Sequence, residues 1–262
     1  MNNTSPSPQM HVERRGSGPR VVFVHGGEEA GGMVAFAAQL PLARHFTLIL
    51  PDLPGHGQSP AQGRKHAGRD ATLIADLLGD GAHLVGHSYG GRVALLAATR
   101  RPQAVHSLTL IEPATLDIAK ENPDVRSLLI ELGQAMSIAD PRERLKAFAE
   151  AVGIHKTWPD TLPETYSQLA ADLPFLQQPS GELMLPSQPL AEQIAAAGIP
   201  SLVISGGHKA GFEVICDVLT EILGAERAVI TGYGHAQQQS GEPMNTCLEQ
   251  FWSNALKKEH LS

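Results

Sequence analysis

Leu84-Val85-Gly86-His87-Ser88-Tyr89-Gly90-Gly91 decides the fold of this chain. An apolar run passes directly into Gly-x-Ser-x-Gly, and Val93, Leu95 and Leu96 with the small Ala94, Ala97 and Ala98 continue it at helical spacing. A serine held in so abrupt a strand-to-helix turn needs neighbours with almost no side chain, which Gly86 and Gly90 supply. The turn lifts the hydroxyl clear of the sheet and sets it at a helix N-terminus, where developing negative charge is favoured. Ser88 is therefore the candidate nucleophile. Taken by itself, the five-residue pattern also fits a glycine-rich turn that happens to contain serine.

Two further stretches separate these readings. Val21-Val22-Phe23-Val24 is a buried-strand run ending in His25-Gly26-Gly27, and Phe46-Thr47-Leu48-Ile49-Leu50 is another, ending in Pro51-Asp52-Leu53-Pro54-Gly55-His56-Gly57-Gln58-Ser59. With the elbow and the late Gly232-Tyr233-Gly234-His235, they resemble the α/β-hydrolase family in content, order and spacing, from about Val12 to about Trp252. The resemblance implies a mostly parallel wound sheet flanked by helices. It also implies Ser88 as nucleophile, His235 as its base, and an oxyanion hole formed by the backbone N–H groups of Gly27 and Tyr89.

At 262 residues the chain is long enough to bury a substantial core as one domain. A net charge of −7 leaves no basic stripe for nucleic acid and no polybasic patch for anionic lipid, so neither partner is expected. The opening Met1-Asn2-Asn3-Thr4-Ser5-Pro6-Ser7-Pro8 is polar and lacks an apolar signal-peptide core, so residues 1–8 read as a flexible tail of a cytoplasmic protein. Cys216 and Cys247 lie on apolar helical faces and read as reduced packing residues. A monomer or homodimer is expected.

Strands are expected near Met10–Arg14, Val21–His25, Thr47–Leu50, Ala82–His87, Val105–Ile111, Ser201–Ser205 and Ala228–Ile230. Gly16-Ser17-Gly18-Pro19 predicts a turn joining the first two as an antiparallel edge hairpin, and a first edge strand of the family is expected to be missing. From residue 114 to 199 the strand signal gives way to helical spacing, as in Val125, Leu128, Leu129, Leu132 and Met136. The core then comprises residues 9–113 and 200–262. By resemblance, the segment between is a helical cap inserted after the sixth family strand, walling the substrate pocket. Met136, Phe148, Trp158, Tyr166, Phe175 and Met184 are the pocket candidates, although apolar residues at such spacing more often fill cores.

Twelve histidines need sorting. His25 and His56 belong to turns they would hold by hydrogen bonds, His87 should point away from Ser88, and no His or Cys spacing predicts a metal site. No cofactor is expected. The acid that orients His235 departs from the commoner family pattern, because Lys209 stands where relatives often carry an aspartate. Glu213 and Asp217 fall opposite an apolar helical face and should point to solvent. Glu112 ends the apolar run Ser107-Leu108-Thr109-Leu110-Ile111, a position from which some family members take their acid, and is the candidate. Glu28 and Glu29 would sit at the pocket mouth and disfavour anions, or be solvated loop charges.

The chemistry implied is hydrolysis of a carboxylic ester or lactone of a small, neutral, largely apolar substrate through an acyl-enzyme. A serine at the elbow argues against the aspartate-based dehalogenase and epoxide hydrolase reactions of similar folds. A carbon–carbon bond hydrolase, a cofactor-free perhydrolase and a slow-turnover small-molecule receptor share these residues and remain alternatives.

Overall fold

The computed structural model describes residues 10–62, 66–154 and 185–259. Seven strands form one sheet: β1 (Val12–Arg15), β2 (Arg20–Val24), β3 (Thr47–Pro51), β4 (Ala82–His87), β5 (Val105–Ile111), β6 (Ser201–Ser205) and β7 (Glu226–Val229). Their order is β1-β3-β2-β4-β5-β6-β7, all parallel except β1. This is the wound α/β sheet the sequence predicts.

The sheet's centre reads as continuous apolar sequence because both of its faces are covered. Along β2, side chains alternate between two cores. Val22 and Val24 face α2 (Ala67–Leu77) and α3 (Tyr89–Arg100), while Val21 and Phe23 face Phe36, Phe46 and Trp252 of α8 (Glu242–Glu259). All four of these β2 side chains, Val21 to Val24, are fully buried.

The expected edge hairpin of the first two strands does not form. β1 pairs antiparallel with β3, Val12 opposite Pro51 and Arg15 opposite Leu48, and β3 lies between β1 and β2. The turn between β1 and β2 docks onto the start of β3 instead of folding the two strands together. Thr47 donates its N–H to the Pro19 carbonyl at 2.9 Å and its hydroxyl to the Gly18 carbonyl at 2.9 Å. A glycine-rich turn signals a reversal of the chain but not which strand fills the space it opens. β7 also begins earlier than expected, with the charged Glu226 and Arg227 on the exposed edge of the sheet.

Between β5 and β6 the described residues form helices α4 (Pro123–Met136), α5 (Pro141–Val152) and α6 (Ser187–Ala196) and no strand. The acceptor side chains of Asn122 and Asp140 cap α4 and α5, and proline occupies the first turn of each. Helix α7 (Ala210–Leu223) follows β6. Among the described residues no helix is long and apolar enough to cross a membrane. Cys216 and Cys247 are free, the first fully buried.

His83, in β4, is a core histidine. It stacks on Trp252 at 5.3 Å between ring centroids and shares a 2.8 Å hydrogen bond with the Ser107 hydroxyl. Burial, helped by the nearby His106 charge, pushes its pKa down to about 3 from an ordinary 6.5. The folded protein therefore keeps His83 neutral where the unfolded chain takes up a proton, so this contribution is complete above pH 6.5 and is lost as pH falls toward 3. Between pH 7 and 5 the wild type should lose about 2 kcal/mol more unfolding free energy than His83→Asn, as read by urea denaturation. Parallel stability curves for the two proteins would contradict this.

Candidate active site

Ser88 stands between β4 and α3 with φ 51° and ψ −121°, a conformation rare for a residue with a side chain. Backbone hydrogen bonds hold it there. Its N–H donates to the Ile111 carbonyl at 3.0 Å, and its own carbonyl accepts from Gly91 and from Ala114, each at 2.9 Å. Close packing explains the glycines on either side. A Cβ on Gly86 would lie 2.7 Å from the Cβ of Ala94, and one on Gly90 would run into the carbonyl oxygens of Val24 and His25. The Tyr89 hydroxyl donates to buried Asp70 at 2.8 Å.

Glu112, the residue after β5, has φ 36° and is fully buried. Its Oε2 accepts from His235 Nδ1 at 2.6 Å, and its Oε1 accepts the Gly206 N–H at 2.7 Å. Burial pushes this carboxyl up, but the hydrogen bond and charge of His235, aided by His208, outweigh it and hold the pKa below the usual range. Phe212 stacks on the His235 ring at 4.6 Å and 21°, fixing the imidazole plane. With Nδ1 donating to Glu112, His235 Nε2 is buried without a hydrogen-bond partner and belongs to the residue that, with Ser88, lines one cavity.

Glu213 does not point to solvent as its helical position predicts. It is half-buried and accepts from the Ser205 hydroxyl at 2.7 Å, the Gly207 N–H at 2.9 Å and Arg227 at 2.8 Å. Arg227 also takes exposed Asp217 at 3.0 Å. The helical-face reading treats everything off the apolar stripe as water, whereas β7 brings Arg227 alongside α7. Lys209 pairs with Glu131 at 2.5 Å.

The cavity is about 380 Å³ and mostly apolar. Gly27 and Tyr89, whose N–H groups the family resemblance assigns to the oxyanion hole, line it together with Ser88 and His235. Met136 and Phe148 line it with Leu129, Leu132 and Val152, whereas Trp158, Tyr166, Phe175 and Met184 lie outside the described residues. At its other end Arg92 bonds the Ser187 hydroxyl and the Leu185 carbonyl and stands 3.8 Å from Asp117. These contacts stitch the start and the end of the helical insertion to α3.

The sequence reading missed a buried charge cluster beneath the site. Glu28 lines the cavity beside Ser88, Glu29 does not, and neither is solvated: each is at least nine-tenths buried. Glu29 accepts the Gly26 N–H at 2.6 Å and the Gln238 amide at 2.5 Å. His87 lies between the two acids, its Nδ1 3.7 Å from Glu28 and 3.5 Å from Glu29, while its Nε2 donates to the His235 carbonyl at 2.7 Å. Burial opposes the imidazolium, but the Glu29 charge and hydrogen bond and then the Glu28 charge push His87 up to about 9. Two acids behind His-Gly-Gly and a histidine before Ser88 were the available signal. His25 and His56 hold loops: His25 Nε2 accepts the Leu53 N–H at 2.9 Å, and His56 Nδ1 donates to the Glu29 carbonyl at 2.8 Å.

The tight approach at the elbow makes a stability prediction. Gly90→Ala should cost about 3 kcal/mol or more, because its methyl meets backbone that cannot move aside. Gly133→Ala on helix α4, whose methyl meets no atom of the described residues within 4 Å, should stabilise by about 0.5–1 kcal/mol. Chemical denaturation of the two variants checks both, and a neutral Gly90→Ala would contradict the packing described.

Comparisons with known proteins agree with this architecture. A 102-residue stretch is 44% identical to the pimeloyl-[acyl-carrier protein] methyl ester esterase of Chromobacterium violaceum, covering 39% of this chain and 40% of that protein. A 161-residue stretch is 35% identical to lipase LipV of Mycobacterium tuberculosis, covering 59% and 58%. The chain thus spans about half the length of the curated relatives it matches. A crystal structure described as a membrane phospholipase A and bacterial virulence factor superposes with a TM-score of 0.70 at 21% identity, covering 94% of this chain and 86% of that one. The model of the α/β-hydrolase fold matches residues 19–239, and the chain belongs to that family.

Proposed function

We propose that the protein is a serine hydrolase that cleaves a carboxylic ester or lactone of a small, neutral, largely apolar substrate through an acyl-enzyme. The observation that carries this reading is the convergence on one apolar cavity of a strained Ser88 and a buried His235 whose other nitrogen is held by Glu112. The names of the matched esterase and lipase relatives support the ester class.

In this reading His235 Nε2 takes the Ser88 proton as the oxygen attacks the substrate carbonyl. The Gly27 and Tyr89 N–H groups receive the charge on the carbonyl oxygen, a role worth about 2.7–4 kcal/mol per donor. Collapse of the tetrahedral intermediate expels the alcohol, which takes the proton from His235. Water, deprotonated in turn by His235, then releases the acid and restores Ser88. Glu112 keeps the imidazole in the tautomer that leaves Nε2 free and stabilises the imidazolium that forms. The apolar lining from Met136, Phe148, Leu132 and Val152 suits a hydrocarbon chain or ring, and Glu28 in the same lining disfavours an anionic substrate.

A panel of p-nitrophenyl esters and lactones tests the reading. Neutral esters should turn over steadily, with Glu112→Gln lowering kcat by about 10³–10⁴ and Glu213→Gln changing it by less than about fivefold. No turnover across the panel would remove the hydrolase reading. A crippling Glu213→Gln with a nearly silent Glu112→Gln would move the acid to helix α7, after β6.

A further inference from the structure

We infer that Glu28, His87 and His235 form a binding site for a divalent transition-metal ion of the zinc class, and that its occupation arrests the active site by engaging His235 Nε2. The three side chains come from the loop after β2, the end of β4 and the loop after β7. Each offers one ligand atom, and all three atoms lie within 4.8 Å of one another. They are 8%, 0% and 1% exposed.

Two observations show that the group is built for an electrophile and is not an ordinary buried ion pair. First, both carboxylate oxygens of Glu28 and Nε2 of His235 are buried with no hydrogen-bond partner. Second, each histidine already spends its other nitrogen on an oxygen acceptor: His235 Nδ1 on Glu112, and His87 Nε2 on the His235 carbonyl. Outer partners of this kind fix ring orientation and aim the remaining nitrogen at a metal.

Two imidazoles and one carboxylate, with a fourth position open to the cavity, make a donor set suited to zinc, whereas magnesium and calcium prefer oxygen alone. Ligands about 2.0–2.2 Å from a tetrahedral ion stand about 3.3–3.6 Å apart. His87 Nδ1 and Glu28 Oε1, at 3.7 Å, are close to that spacing already, and the unbonded Glu28 carboxylate is free to turn. The ion enters as the His87 Nδ1 proton leaves to solvent, which adds one positive charge to a pocket holding two acids around a single imidazole.

The inhibitory half of the inference rests on the hydrolase reading, while the binding half does not. Calorimetric titration of the chelator-treated full chain with zinc chloride should show one ion bound at micromolar or tighter concentration, and magnesium chloride should give no saturable heat. Ser88→Ala, which removes no ligand, should bind zinc as the wild type does. Glu28→Gln and His87→Gln should each weaken binding at least tenfold. Ester turnover by the wild type should fall with the same zinc dependence and return on adding EDTA. Absence of saturable binding, or one Kd shared by the wild type and Glu28→Gln, would overturn the site. Zinc binding that responds to Glu28→Gln but leaves turnover unchanged would overturn the arrest. A protein that binds zinc but turns over no ester would sustain the site and remove the hydrolase reading instead.

Discussion

The hydrogen bond from His235 Nδ1 to Glu112 Oε2 joins the loop after β7 to the end of β5, and the rest of the site is arranged around keeping both ends in place. Glu112 and Ser88 are the two residues other than glycine with positive φ among those described. They follow neighbouring parallel strands, paired up to His87 opposite Ile111. Backbone hydrogen bonds pin both strained residues: Ser88 N–H reaches the Ile111 carbonyl, Ala114 N–H reaches the Ser88 carbonyl, and Glu112 N–H reaches the Ile204 carbonyl. Strain of this kind persists only where neighbouring hydrogen bonds over-determine it, and it gathers at functional sites.

Charge is distributed around the imidazole in two layers. On one side Glu112 takes Nδ1 and the Gly206 N–H, while Glu213 takes the next N–H, that of Gly207, so two acids share the turn that leaves β6. On the other side Glu29 and Glu28 hold His87, which grips the His235 backbone from below. Helix α5 is tied to this arrangement through its last turn. There the Val152 carbonyl accepts from His208, and Gly153 reaches the His235 N–H at 3.4 Å. Sheet, loops and insertion are thus tied at the same few residues.

Much of this was legible in the residues, for a local reason. An elbow needs Gly86 and Gly90 within five positions of Ser88, and buried strands need unbroken apolar runs, so β4, β5 and β6 have the boundaries their sequence predicts. Glu112 was legible because it interrupts such a run at its end. The partner of β1 was not, since the turn after it fixes a reversal and leaves the neighbour to tertiary packing. The surroundings of Glu213 were not, because Arg227 arrives from a different strand. The Glu28, Glu29 and His87 cluster was not, because His87 ends a strand far along the chain from the two adjacent acids, which alone resemble ordinary loop charges.

The central claim is that Ser88 is a working nucleophile. Intact-protein mass spectrometry after exposure to a fluorophosphonate tests it directly, because only an activated hydroxyl attacks such a phosphorus readily. The account predicts a single adduct that peptide mapping places on Ser88 and that disappears in a folded Ser88→Ala protein. An adduct on another residue, or labelling that persists in Ser88→Ala, would contradict it.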